Sequence, residues 1–250
     1  VPASRVGERV WVYQAQYARR FGTACEYVAL PANRAVSLPA TSSFSDGACM
    51  GIPAMTAHRC VFSDGSVEGK TVLVTGGAGR VGHYAIQWAK HAGAQVVATA
   101  SNPQAEDHCF AAGADAVCPH GGGELIRIIS EMTSGKGVDR VVDGEFGANL
   151  PGLLDAVNTG AVIATYSSMA VPEPVLPFRR MMFMDLTLRL VLVYAMPESA
   201  KQHAIDDITE YLGRGMLQHR IAHRVPLDQV AESHQLIEKG GFYGAVVLDV

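Results

Sequence analysis

Cysteine, basic charge and long apolar runs are all scarce in this 250-residue chain, and each scarcity removes a class of protein. The five cysteines, Cys25, Cys49, Cys60, Cys109 and Cys118, are odd in number and never two residues apart. That pattern argues against a disulfide framework and a structural zinc lobe, and it suits a reducing cytoplasm. Lys and Arg total 20 against 24 Asp and Glu, a formal net charge of -4 with no basic run. No electrostatic footprint for nucleic acid or an anionic membrane follows. The most apolar stretch, Leu186 to Tyr194, is far shorter than a membrane span and carries Arg189; it reads as a buried strand. Val1 to Gly7 lacks the basic and apolar regions of a signal peptide, and the first residue is Val rather than Met, which reads as a missing beginning.

The apolar content of 48% is ample for the core of one large domain or two modest ones. The chain is organised around Lys70-Thr-Val-Leu-Val-Thr-Gly-Gly-Ala-Gly-Arg-Val-Gly82. Val72, Leu73 and Val74 run into glycines, Ala85, Ile86 and Ala89 then recur at helical spacing, and Gln95 to Ala100 forms a second β-branched run. The order is strand, tight turn, helix, strand. Gly77, Gly79 and Gly82 occupy G-x-G-x-x-G positions, where missing side chains permit the turn, admit a pyrophosphate, and let helix and strand approach. The helix N-terminus would face the phosphates.

Before that motif, Gly7 to Tyr13 and Ala24 to Leu30 read as short strands, and Ser42 or Ser43 caps a helix through Cys49. A further helix starts at Gly51-Ile-Pro-Ala-Met-Thr-Ala-His58, with Pro53 in its first turn. After it, strands at Ala114 to Cys118, Val138 to Asp143, Ala161 to Tyr166 and Leu186 to Tyr194 alternate with helices from Pro103 and Glu124. Six strands in this alternation predict a doubly wound parallel sheet. Glu198 to Leu212 reads as the sheet's last helix, and the tail, with a strand over His219 to Val225, a helix over Val230 to Ile237 and a strand over Ala245 to Leu248, is assigned back to the opening region. His219 and His223 straddle a predicted strand, which suits surface or satisfied histidines rather than metal ligands.

Gly51 to Arg59, the Ala78-Gly-Arg-Val-Gly82 turn, Gly7-Glu-Arg-Val-Trp11 and Gly244-Ala-Val-Val-Leu-Asp249 together resemble the zinc-free medium-chain dehydrogenase/reductases, in particular the zeta-crystallin-like NADPH:quinone oxidoreductases. The resemblance implies an α/β Rossmann domain over residues 51–216, flanked by an incomplete GroES-like β-barrel catalytic domain. The latter comprises residues 1–50, with its N-terminal part absent, and a returning segment, 217–250. It also implies a homodimer paired through the 186–194 edge strand. Gly144 departs from expectation, because a larger apolar residue would finish a buried strand.

NAD selection uses an acid about 20 residues after the glycine turn. Here the second strand ends in Ala100-Ser101-Asn102, and Glu106 and Asp107 come too late. NADPH is therefore favoured, with Ser101 and Asn102 as donors. By the resemblance, Gly79, Arg80, Val81 and Gly82 lie on the pyrophosphate, and Thr56 either approaches the nicotinamide or bonds back within its own helix. Phe146, Gly147, Tyr166 and Ser167 follow two strand ends at the ligand crevice, and Val193 and Tyr194 flank the nicotinamide or pack the edge. The chemistry implied is NADPH-dependent reduction of quinones or activated alkenes without zinc, with Tyr13 the one candidate catalytic side chain.

Two rivals fall short. A short-chain dehydrogenase needs Gly where Arg80 stands and a Tyr-x-x-x-Lys pair, which none of the eight tyrosines provides. The structural zinc lobe of a zinc alcohol dehydrogenase needs clustered cysteines after the opening strand, where only Cys25 lies; that shortfall bears on the structural site and not on a catalytic zinc. The alternative from another class is a non-catalytic NADPH-binding module, or a truncated chain without turnover.

Overall fold

In the computed structural model, which describes residues 3–250, strand β1 (Val10–Val12) pairs antiparallel with β2 (Ala35–Ser37), Trp11 lying opposite Val36. Ala24–Leu30, expected as a strand, has no ladder partner: residues 23–26 bend, the Cys25 thiol donates to the Gly22 and Tyr27 carbonyls, and Tyr27 stands 90% exposed. Those apolar residues find no face to bury, so propensity alone does not make a strand. Helix α1 (Phe44–Met50) starts from a reciprocal cap in which Ser43 Oγ accepts from the Asp46 amide and Asp46 accepts from the Ser43 amide. Helix α2 (Pro53–Phe62) opens on Pro53, whose missing N–H costs nothing in a first turn.

From there the alternation runs β3 (Thr71–Val74), α3 (Arg80–His91), β4 (Gln95–Ala100), α4 (Pro103–Ala111), β5 (Ala116–Pro119) and α5 (Gly122–Thr133). It continues through β6 (Val138–Asp143), α6 (Phe146–Ala156), β7 (Val157–Thr165), α7 (Phe178–Phe183) and β8 (Thr187–Leu190). All six strands pair in parallel, in the order β5-β4-β3-β6-β7-β8. This is the dinucleotide-binding order, with its reversal between β3 and β6. Register aligns Leu73, Val97, Val141 and Ile163 in a row across the sheet. That row packs with Leu125 and Ile129 of α5 and Leu150, Leu153 and Leu154 of α6 in one buried cluster. Burying each such side chain is worth about 1.5–3 kcal/mol. The alternate residues Val72, Val74, Ala98 and Val142 are buried too, as strands covered on both faces require.

The Leu186–Tyr194 stretch is not a buried strand. Only Thr187–Leu190 pairs, on one side, with β7, and Leu190 is 72% and Leu192 55% exposed. Its apolar run marks the open edge of the sheet. Arg189 on this edge binds Asp64 through Nε at 3.0 Å and through Nη2. The buried Arg140 of β6 donates to the carbonyls of Val61 and of Asp64, the latter at 2.8 Å. Arg140 thereby satisfies carbonyls at the end of α2, and with Arg189 on the Asp64 carboxylate it ties that end to the sheet.

Helix α8 (Glu198–Gly213), strand β9 (Ile221–Pro226), helix α9 (Val230–Lys239) and strand β10 (Ala245–Asp249), parallel to β9, complete the chain. It divides into two compact units, Thr56–Met196 and Val1–Met55 with Pro197–Val250; Val1 and Pro2 lie outside the described residues. Strand–helix alternation assigns α8 to the sheet, yet it falls in the unit with the opening segment, where Glu198 accepts from Arg34 at 3.1 and 3.2 Å and the Leu212 carbonyl accepts from Thr41 at 3.3 Å. In the same unit His223 meets Phe242 edge-on, ring centroids 4.8 Å apart. No helix among the described residues is long and apolar enough to cross a membrane.

Candidate cofactor crevice

At the end of β3 the backbone reverses at Gly76, whose φ of +60° is a conformation that favours glycine. The Gly76 amide donates to Thr99 Oγ1 at 2.9 Å and the Gly77 amide to the Thr99 carbonyl at 3.0 Å, so the turn hangs on the end of β4. A Cβ on Gly77 would meet Cys109 Sγ at 2.8 Å and Ala98 Cβ at 2.9 Å. One on Gly82 would fall on the Gly76 carbonyl oxygen and 2.8 Å from Gly77 Cα. Gly79 is the exposed, extended N-cap of α3, its amide bonded to the Gly76 carbonyl at 2.9 Å. The amides of Arg80, Val81 and Gly82 in the first turn then have no acceptor within the helix, and no acid shares that turn. A glycine-lined turn closing on a helix N-terminus fits the pyrophosphate of a dinucleotide.

At the end of β4, Ser101 and Asn102 are both exposed and no carboxylate stands beside them. Asn102 also caps α4, its Oδ1 accepting from the Ala105 amide at 3.0 Å while its Nδ2 donates to Ser101 Oγ at 3.3 Å. A residue that sequence reasoning passed over joins them: His120 follows β5, and its Nδ1 lies 2.7 Å from Thr99 Oγ1. Partial burial pushes the pKa of this imidazole below its ordinary value, with Asp143 opposing in part.

Across the switch point, Asp143 ends β6 with no exposed surface. Its carboxylate accepts from Thr75 Oγ1 at 2.7 Å, Asn149 Nδ2 at 2.7 Å and the Glu145 amide at 3.1 Å. Thr75 Oγ1 in turn accepts from the Gly144 amide at 3.2 Å. The expected large residue at 144 is excluded by Tyr166, whose hydroxyl would stand 2.7 Å from a Cβ there. Burial pushes the Tyr166 phenol well above its usual pKa, so it stays protonated.

Phe146, Tyr166 and Ser167 meet at one cavity of about 480 Å³ between the ends of β7 and β8. Pro172, Pro174, Leu176, Leu188 and Leu190 give it an apolar side, and Thr165 and Ser168 a polar one. Gly147 serves packing: its amide donates to Ser168 Oγ at 2.9 Å and a Cβ there would meet the Val171 side chain at 2.6 Å. Val193 and Tyr194 lie in a single 3-10 turn after β8, Val193 buried and Tyr194 half-buried. Thr56 is buried within α2.

Tyr13 lies in the other unit, buried, its hydroxyl donating to the Asn33 carbonyl at 3.1 Å and accepting from Arg34 at 3.0 Å. Arg34 also stacks on its ring, 4.9 Å from the centroid, so the phenol is engaged in scaffolding. Burial raises the thiols of Cys60 to about 12 and of Cys49 and Cys118 to about 11, which leaves them protonated and poor nucleophiles.

A family model described as "Zinc-binding dehydrogenase" matches residues 81–210. The chain is 28% identical over 229 residues to a quinone oxidoreductase of Pongo abelii, covering 91% of this chain and 69% of that protein. Among solved structures it is similar to a mycobacterial quinone oxidoreductase, TM-score 0.84 at 25% identity over 91% of this chain and 71% of that one. An NAD-dependent alcohol dehydrogenase gives 0.81 at 30% identity, over 93% and 66%. The chain thus spans about two thirds of the length of these proteins.

Proposed function

Because the chain belongs to the zinc-binding dehydrogenase family of oxidoreductases, we propose that it reduces quinones or related activated alkenes with NADPH, without zinc. The observation that carries this reading is the pairing of a glycine turn open to a pyrophosphate with a β4 end that offers Ser101 and Asn102 and no acid. The dihydronicotinamide, when bound, supplies the hydride. The residues' share of the work is placement: Gly79 to Gly82 hold the pyrophosphate, and Phe146, Tyr166 and Ser167 wall the crevice beyond the switch point. Tyr166 lines that wall with its phenol kept protonated by burial. Residues 1–50 and 217–250 are proposed as part of a GroES-like catalytic domain, and five free cysteines suit a reducing cytoplasm. A homodimer pairing two β8 edges is supported by the open ladder and by the exposed Leu190 and Leu192.

The test is steady-state NADPH oxidation with 1,2- and 1,4-quinones, beside NADPH and NADH binding titrations. Turnover with a preference for NADPH is the expected result. Binding without turnover makes the chain a nucleotide-binding module, and absence of binding to either nucleotide overturns the assignment.

A further inference from the structure

The end of β4 lacks the acid that would select NAD, but it also lacks a Lys or Arg to hold a 2′-phosphate. Ser101 and Asn102 are neutral, and Asn102 has its carbonyl committed to the α4 cap. Sheet order supplies what the local sequence does not. Ala100 of β4 is registered with Pro119 of β5, so the residues that follow them, Ser101 and His120, leave the sheet side by side. His120 is exposed there, and its ring is tethered at Nδ1 by Thr99 Oγ1, the same oxygen that accepts from the Gly76 amide of the glycine turn. A threonine oxygen can donate to the neutral ring or accept from the protonated one while keeping the Gly76 bond. Where Thr99 donates to Nδ1 of the neutral ring, Nε2 carries the ring proton, and the protonated ring donates at both nitrogens.

Resting on the proposed function, we propose that His120 is the titratable cation that recognises the 2′-phosphate of NADPH and makes the preference over NADH depend on pH. The ring and the phosphate oxygens form a charge-assisted pair once the ring is protonated. The charged groups around it are Asp143 of β6, which acts on the ring, and Glu106 of α4 and Glu124 of α5, which act on the neighbouring Cys118. Partial burial disfavours the charged form of the free ring, and a bound phosphate draws a proton onto it. Affinity for NADPH is therefore highest below the free ring's pKa and falls as pH rises through that of the bound ring.

Calorimetric titrations of NADPH and NADH, from about pH 6 to about pH 8 where histidine titrates, test this in the wild type and in His120→Gln. The wild type should lose about tenfold in NADPH affinity for each unit by which the phosphate raises the ring's pKa, with NADH flat. His120→Gln should flatten the NADPH profile and reduce the preference at the acidic end by about tenfold. The 2′-phosphate's own ionisation near pH 6 is common to both proteins, so the difference between them is the measure. A second readout needs no variant: the His120 imidazole resonance should shift to a higher pKa with adenosine 2′-monophosphate and not with the 5′-isomer. An unchanged preference and pH profile in His120→Gln, or an unmoved resonance, overturns the inference while NADPH binding stands. Failure of the wild type to bind either nucleotide overturns it together with the proposed function.

Discussion

Replacing Gly144 with alanine probes how tightly the crevice wall is built. A Cβ at 144 would stand 2.7 Å from the Tyr166 hydroxyl oxygen, 3.1 Å from Cζ and 3.5 Å from Cε2. Gly144 is not among the residues with positive φ, so alanine meets no backbone strain and the contact alone is tested. Overpacking a buried site costs about 1–3 kcal/mol. Lower entropy of the unfolded chain returns about 0.4–1 kcal/mol. The net expectation is a loss of about 1–2 kcal/mol, read as a lower denaturation midpoint at unchanged slope. For a chain of this size Tm should drop by about 2–4 °C per kcal/mol. Tyr166→Phe removes the 2.7 Å contact and leaves the 3.1 Å one, so the alanine should cost at least about 0.5 kcal/mol less in that background. Gly152, inside α6 with nothing near a built Cβ, is the control, and Gly152→Ala should stabilise by about 0.5–1 kcal/mol. If Gly144→Ala is neutral, or additive with Tyr166→Phe, the reasoning from the tyrosine contact is refuted.

Gly82→Ala should abolish nucleotide binding while far-UV circular dichroism stays near wild type, because the new Cβ pushes the Gly76–Gly77 turn aside without entering the sheet. Asp64 is held down to about 2 by its hydrogen bonds from Arg189, below its unperturbed 3.8. That lowered value contributes stability fully present above about pH 5 and lost as pH falls through the folded value. With screening at the partly open guanidinium the contribution is about 1 kcal/mol, so Asp64→Asn should lose that much at pH 7. The gap to wild type should narrow to about half by pH 3 in denaturant titrations; a gap that stays constant with pH would contradict the assignment. Leu190→Lys places a charge on the exposed edge of β8 and should shift sedimentation toward the monomer without changing thermal stability of the sheet by more than about 0.5 kcal/mol.

The legible features were those that a residue imposes on its own stretch of chain. β-branched runs ending in glycine gave β3, the cap at Ser43 gave α1, and six alternations gave the parallel sheet. Features set by neighbours far along the chain were less legible. Apolar content reads alike for a covered strand and for an edge awaiting a partner, which is why Leu186 to Tyr194 reads as buried and is not. Ala24 to Leu30 has strand-like residues but no strand beside it, whereas Ala35–Ser37, only three residues long, finds β1. His120 gives no signal in a loop of glycines until register places it beside Ser101.

Asp143 shows what a residue-by-residue reading of the crevice passes over. The Asp143 carboxylate at the end of β6 is wholly buried, and among the described residues its hydrogen bonds come from neutral donors. A buried carboxylate without a cation is tolerable only when several donors satisfy it. Those donors are Thr75 beyond β3, the Glu145 amide before α6 and Asn149 within α6, with Thr165 of β7 at 3.4 Å. One acid thereby ties together the ends of β3 and β6, which form the switch point, and of the neighbouring β7. The crevice is held open by a polar knot, and the glycine turn and the Tyr166 wall are positioned through it: Thr75 passes the constraint to Gly144, and Tyr166 receives it through its amide on the Asp143 carbonyl at 3.1 Å. Local spacing shows only the Glu145 and Asn149 half of the knot, because Thr75 and Thr165 lie 68 and 22 residues from Asp143 along the chain.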